Sequence, residues 1–357
     1  MLERPANGHP SSRGRAHPPE GDAGEGVVIR GAEGVVPALP AGSRLRDGLA
    51  NMAVHDWIVL GYIVILNLAV LNAPASPARD HSMLRVNVML FGLIAMFAYV
   101  RFWRARGWTS ALAYRLIVYG CVQVSYFFFR ELLPLVNPRS LDTDLHSIGL
   151  TLFGAEPALT LDAFVTPATT EWFAFFYFGY FFVLATYVLP ILFLAKEPRT
   201  LGEFTFGMLF MFCVGHTLYM LVPGYGPYRA VASEFRHTLP DGLWLDVVME
   251  TVAEGGALKD IFPSLHTAAP TFIALFSFRH RALPPFRYSW PIVTFFAANI
   301  IVATMFLRWH WILDVVVGLA LATVTQVLSA LVTTYELERR TRLSLEPTWP
   351  RWSRYFS

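Results

Sequence analysis

Charge is scarce in this chain: 28 Lys and Arg and 26 Asp and Glu make up 15% of 357 residues, against 55% hydrophobic and 15% aromatic. With a positive mean hydropathy, that composition excludes an ordinary water-soluble enzyme of this length. Cysteine is nearly absent. The two present, Cys121 and Cys213, fall inside apolar runs, which excludes a disulfide framework and a zinc site. No apolar run precedes Trp57, so no cleavable signal sequence is expected. No internal repeat is visible. A net charge of +2, carried by scattered Arg and Lys, leaves no footprint for a nucleic acid.

What the chain does have is apolar length. Eight segments, at about 57–72, 84–100, 110–130, 171–194, 204–222, 266–279, 290–307 and 312–332, approach the roughly 20 residues that cross a hydrocarbon core as a helix. The expected fold class is all-α: a polytopic membrane helical bundle of about eight transmembrane helices. Residues 1–52, rich in Gly, Pro, Arg and Glu, are expected to form a disordered cytoplasmic tail, because they cannot bury enough apolar surface to offset chain entropy. Residues 53–109 then hold two accessory helices, 110–333 a six-helix core, and 334–357 a cytoplasmic C-terminal tail.

An even number of spans puts both termini on one side. With that side cytoplasmic, 19 of the 28 basic residues lie inside, eight outside and Arg115 within a span, so the positive-inside bias favours this orientation. Arg115, about five residues from the inner end of its span, is expected to snorkel to the headgroups. The outer segments 131–170 and 223–265 are too long for turns and are expected to be functional or partly helical.

Chemistry concentrates in two short stretches. In Phe262-Pro263-Ser264-Leu265-His266, Pro263 and Ser264 are helix-start signals, with Ser264 a plausible cap, so His266 falls in the first turn of the next helix. The free N–H groups and partial positive charge of such an end suit a phosphate oxygen. A histidine placed there can donate a proton near neutral pH, although an interfacial histidine beside a cap is the blander reading. In Arg308-Trp309-His310-Trp311-Ile312-Leu313-Asp314, His310 and Asp314 are four apart and meet on one helical face. A carboxylate on Nδ1 leaves Nε2 as a free lone pair for base or nucleophile work. The alternative is an aromatic belt of Trp309 and Trp311 with a polar pair beside it. One inward span and one outward span separate the two stretches, so both histidines and the aspartate return to the same membrane face.

Together these stretches resemble the second and third signature motifs of the type 2 phosphatidic acid phosphatase superfamily, with closest resemblance to its inositol phosphorylceramide synthase branch. Pro223-Gly224-Tyr225-Gly226-Pro227-Tyr228-Arg229 looks like the loop that branch carries after a span. Leu161-Asp162-Ala163-Phe164 and the aromatic run from Trp172 to Phe182 are more faintly similar, and the resemblance covers roughly residues 130–320. It implies that His310 attacks phosphorus and forms a phosphohistidine, that Asp314 orients it, and that His266 protonates the departing oxygen and later deprotonates the acceptor. No metal or other cofactor is implied.

Two departures bear on the substrate. The Lys-x6-Arg-Pro motif of the phosphatase branch is missing, and Thr304 stands where that branch has an Arg six residues before the third-motif histidine. Fewer cations then face the phosphate, which disfavours a doubly charged phosphomonoester more than a singly charged phosphodiester. Arg229 is the leading candidate for the remaining clamp, with Tyr228, Ser264, Lys259 and Arg308 as further substrate-binding candidates; each cation also reads as a headgroup anchor. His216 either lines a lipid cavity or bonds a neighbouring helix. Asp142, Asp144, His146 and Asp162 read as ordinary acidic-loop residues or headgroup ligands.

The expected function is transfer of a phosphate-containing, phosphoinositol-like headgroup from a membrane phospholipid donor to a lipid hydroxyl, at the periplasmic or lumenal face. The alternatives are a lipid phosphate phosphatase with water as acceptor, and a lipid transporter or scaffold. Concentration of ionisable residues at one face, away from mid-membrane, favours an enzyme over a transporter.

Overall fold

The computed structural model describes residues 44–350. In chain order the helices are α1 (Arg44–Asn51), α2 (Val54–Leu71), α3 (Pro77–Phe97), α4 (Trp108–Val136), α5 (Asp142–Phe153), α6 (Pro157–Leu161), α7 (Pro167–Leu194), α8 (Pro198–Leu221), α9 (Pro227–Ala230), α10 (Leu243–Gly255), α11 (Leu265–Arg279), α12 (Phe286–Phe306) and α13 (Ile312–Arg342). Several starts share one device: a capping side chain followed by a proline at the first helical position. Ser76 with Pro77, Glu156 with Pro157, Thr166 with Pro167 and Glu197 with Pro198 each satisfy an orphan N–H and preset φ for the helix.

All eight expected apolar segments are helical, as α2, α3, α4, α7, α8, α11, α12 and α13. Among the described residues, seven of these are long and apolar enough to cross a membrane. The eighth, α11, has 15 residues and rises only about 22 Å. It need not meet the length requirement of a lipid-facing helix, because it packs against α7, α8, α12 and α13 and buries ten of its residues. Its partner α8 is the most enclosed of the spans: 72% of its apolar window is buried, against 28–39% in the other six. Small residues permit that closeness. A Cβ at Gly207 would lie 2.2 Å from the Phe272 ring and one at Gly215 2.7 Å from Leu265, both on α11. The accessory pair α2 and α3 packs against α4, and α2 also against α8.

At the end of the bundle opposite the two motifs lies a network of buried charge. The segment assigned to the N-terminal tail ends in α1, where Gly48 packs under the Phe102 ring; residues 1–43 lie outside the described residues. Beyond α13, which runs past position 333 to Arg342, the chain folds back and buries Trp349, stacked on His55 with ring centres 4.7 Å apart. Arg101 pairs with Asp56 at 2.8 Å and donates to the Thr348 carbonyl, also at 2.8 Å. Arg115 does not snorkel. It is buried and donates to the carbonyls of Leu192 at the end of α7 and Pro350 of the returning chain, each at 2.9 Å. At the same end Glu203 of α8 accepts from Arg279 and His280, which fixes the end of α11.

Candidate active site

His266 owes its position to a cap. Ser264 Oγ accepts from the Thr267 N–H at 3.2 Å, which starts α11 one residue before His266. The imidazole stacks on Tyr177 and Tyr180 of α7, with centroids 4.4 and 4.1 Å away and planes within 10° and 23°. That sandwich restricts the ring to one orientation. Its Nδ1 is buried and makes no hydrogen bond.

His310 lies in the link between α12 and α13, two residues before the helix where spacing had put it. Its pairing with Asp314 survives for a different reason. Asp314, in the first turn of α13, turns its carboxylate back to accept the Trp311 N–H at 2.8 Å, and that capping bond brings Oδ2 to 3.5 Å from His310 Nδ1. The distance is long for a formed hydrogen bond, and such contacts tighten when a substrate is bound. Both residues are buried, and Asp314 Oδ1 has no partner.

The two motifs are stapled together. The Ser264 N–H donates to the Asp314 carbonyl at 3.0 Å, and a Cβ at Gly318 of α13 would meet the Ser264 carbonyl at 2.6 Å. The imidazole centroids of His266 and His310 are therefore 6.3 Å apart, a separation that one tetrahedral phosphorus and its oxygens can bridge. The Trp309 ring centre lies 6.3 and 4.8 Å from those of Tyr177 and Tyr228, and its Nε1 is buried and without a partner.

A family model described as the PAP2 superfamily matches residues 143–328, a stretch that contains both histidine motifs. This chain belongs to the PAP2 superfamily. Members of this superfamily are lipid phosphatases and phosphotransferases, and its enzymes act on membrane lipids. No curated protein and no solved structure matches the chain. The superfamily match covers most of the resemblance read from the sequence and does not distinguish the inositol phosphorylceramide synthase branch.

The remaining predicted residues of this PAP2 protein divide by what they touch. Tyr228 is at the site: its N–H donates to the Arg308 carbonyl at 2.8 Å. The loop approaches Trp309 through Gly226, whose φ of +92° and Cβ position 2.2 Å from the Trp309 carbonyl admit only glycine. Ser264 is spent as the cap of α11. Lys259 is buried, and its ammonium is spent on the carbonyls of Asn137, Pro138 and Arg139 at the end of α4. Arg308 is held by Asp162 Oδ1 at 2.9 Å and by the His237 carbonyl at 2.6 Å. Burial alone would raise the Asp162 carboxyl, but bonds from the Arg236 N–H and His237, with the Arg308 charge, hold it below the usual range. Arg229 is exposed and lies over the Tyr225 ring at 3.8 Å. His216 is buried among Tyr62, Tyr126, Phe129 and Tyr219, with Nδ1 3.4 Å from the Tyr62 hydroxyl, so it joins helices.

Asp142 is a buried organiser: it accepts from the Tyr225 and Gly226 N–H groups at 2.8 Å and from Trp311 Nε1 at 3.0 Å. His146 stacks on Trp311 at 4.6 Å, while Asp144 is exposed. Sequence reasoning passed over Asp260 and Glu156. Asp260 accepts from the Tyr126 hydroxyl at 2.8 Å; burial raises its carboxyl, a shift that the Tyr126 bond and His310 oppose. Glu156 is buried beside the start of α13. Burial and, in smaller part, the Asp314 charge push it up to about 7 against bonds from the Ala158 and Ile312 N–H groups. An acidic residue six positions before His266 was the one available signal for Asp260. Nothing local marked Glu156.

Proposed function

We propose that this PAP2 protein transfers a phosphate-containing headgroup, phosphoinositol-like by the resemblance of its motifs, from a membrane phospholipid to a lipid hydroxyl. The observation that carries the reading is the pair of imidazoles 6.3 Å apart with a carboxylate behind one of them. In the first half-reaction His310 Nε2 attacks phosphorus and the bond to the diacylglycerol oxygen breaks. His266 gives that oxygen a proton, and the headgroup phosphate remains on His310. Asp314 fixes the Nδ1–H tautomer and stabilises the positive charge that the ring acquires. In the second half, an acceptor hydroxyl gives its proton to His266 and attacks phosphorus, and the N–P bond breaks to restore His310. The sandwich of Tyr177 and Tyr180 supports a proton-transfer role for His266, since it holds the ring and leaves Nδ1 without a protein partner. Both termini are assigned to the cytoplasm and the site to the periplasmic or lumenal face, in keeping with the positive-inside bias.

Incubating purified protein with headgroup-labelled phospholipid, with and without ceramide or diacylglycerol, tests the reading. Label in a new lipid only when the acceptor is present is the expected result, and His310→Ala abolishes it. Label released to water regardless of acceptor selects the phosphatase instead. Silence across the panel sinks both.

A further inference from the structure

Asp142 belongs to neither histidine motif and yet bonds one of them directly. It is buried at the start of α5, and both of its carboxylate oxygens are spent on groups from other segments. Oδ1 accepts from the Gly226 N–H at 2.8 Å and from Trp311 Nε1 at 3.0 Å, while Oδ2 accepts from the Tyr225 N–H at 2.8 Å. Ser140 Oγ also donates to Oδ2. One residue earlier the Leu141 N–H donates to the Pro223 carbonyl at 2.9 Å. Two segments therefore meet on one side chain: the loop 223–229 through its backbone, and the link before α13 through the indole next to His310. Trp311 is fully buried, with His146 stacked on its face at 4.6 Å, so the indole has little room to turn to another acceptor. The loop and the link touch again beyond Asp142, where the Tyr228 N–H donates to the Arg308 carbonyl at 2.8 Å. A carboxylate accepts on both oxygens and donates nothing, which suits a point where several N–H groups converge away from water.

We infer that Asp142 is a positioning residue: it clasps the link that carries His310 and the loop that carries Tyr228 and Arg229, and so holds nucleophile and loop in one register. The inference rests on the headgroup-transfer reading for the roles of His310 and the loop, and on the bonds to Asp142 for the clasp itself. Its two arms have different kinetic signatures. The Trp311 arm acts through His310, and a displacement of about 1 Å at a reacting group costs up to about a hundredfold in rate. Loss of that arm lowers kcat with little change in KM. The loop arm acts on substrate binding, so its loss raises KM. A residue that merely stabilised the fold would lower the amount of active protein and leave both constants of the folded fraction as they were.

The test follows loss of headgroup-labelled phospholipid by the full-length protein in detergent micelles, per folded molecule, beside hydrogen exchange in peptides covering 223–231 and 307–316. Trp311→Phe removes the indole N–H and leaves the carboxylate on its loop. It should lower kcat by about tenfold or more, keep KM within about threefold, and speed exchange in 307–316 alone. Trp349→Phe makes the same truncation at the opposite end of the bundle, where Nε1 makes no hydrogen bond, and should leave kcat and KM within about threefold. Asp142→Ala should lower kcat as far as Trp311→Phe, raise KM by about tenfold and speed exchange in both peptides. The double variant should fall no more than about threefold below Asp142→Ala in kcat, because the two changes break one bond. The clasp is overturned if kcat falls no further in Trp311→Phe than in Trp349→Phe, or if the effects of Trp311→Phe and Asp142→Ala multiply. Where Asp142→Ala does not fold, the comparison of Trp311→Phe with Trp349→Phe decides alone. A wild type that consumes no phospholipid ends the transfer reading, and exchange then decides the clasp: 307–316 faster in Trp311→Phe and unchanged in Trp349→Phe sustains it, and any other pattern ends it. Transfer by the wild type with kcat and exchange unmoved in Trp311→Phe ends the clasp and leaves the transfer reading standing.

Discussion

His266 and His310 differ in how they are held, and the difference matches the roles proposed for them. His266 is clamped between two phenol rings on α7, while His310 has a carboxylate behind Nδ1. On the proposed phosphohistidine route, His310→Ala removes the covalent step and is expected to lower headgroup turnover by at least about a thousandfold. A phosphorylated His310 peptide, detected by mass spectrometry after acid-free quenching, should disappear with it. Asp314→Asn keeps the shape and loses the charge; turnover should fall substantially while substrate affinity changes little. Glu156 yields a pH prediction. Its carboxyl is raised to about 7 in the folded protein, above its unfolded value, so its contribution to stability is fully present below the unfolded pKa near 4.3. That contribution is lost as pH rises through about 7. The Tm in detergent should therefore decline between pH 5 and 8, and Glu156→Gln should remove part of that decline. Residue types were the most legible feature of the sequence: both histidines, Asp314 and the Ser264 cap stand out from their motifs. Asp260 and Glu156 were not legible, because their placement depends on Tyr126 and on the start of α13, contacts between residues more than 130 positions apart.

The helices show where spacing rules hold and where they give way. The four-residue interval between His310 and Asp314 was read as one helical face, yet α13 starts at Ile312 and the contact forms because Asp314 caps the Trp311 N–H. The long outer segments were expected to be partly helical, and they carry α5, α6, α9 and α10. The cationic clamp was the least legible part. Lys259 and Arg308 are fixed by carbonyls and a carboxylate that only the folded loops bring near. Helix contact at the site depends on Gly318, where an added Cβ would strike the Ser264 carbonyl. Gly318→Val should push α11 from α13, costing about 1–3 kcal/mol in overpacking and lowering the Tm, with a larger fractional loss of turnover because both motifs move apart. Turnover unchanged in this variant would show that the contact does not set the distance between the imidazoles.

The whole molecule is an integral-membrane bundle with chemistry at one end and a buried charge network at the other. Trp349 closes that second end against His55, Tyr114 and Tyr119. Trp349→Ala should destabilise by about 3–5 kcal/mol, read as a lowered Tm, with the two histidine motifs left chemically intact. Orientation is checked separately: single cysteines placed in residues 223–265 should react with an impermeant maleimide from outside intact cells, or from the lumenal side of sealed vesicles.

The brevity of α11 reaches into how the chain enters its bilayer. A segment of 15 residues that hides its sides from lipid has little reason to lodge across the hydrocarbon unaided. Its turn into α12 spans six residues, 280–285, so the pair is short enough to insert as a single hairpin. In that order of events His266 reaches its depth together with α12, the helix that leads to His310.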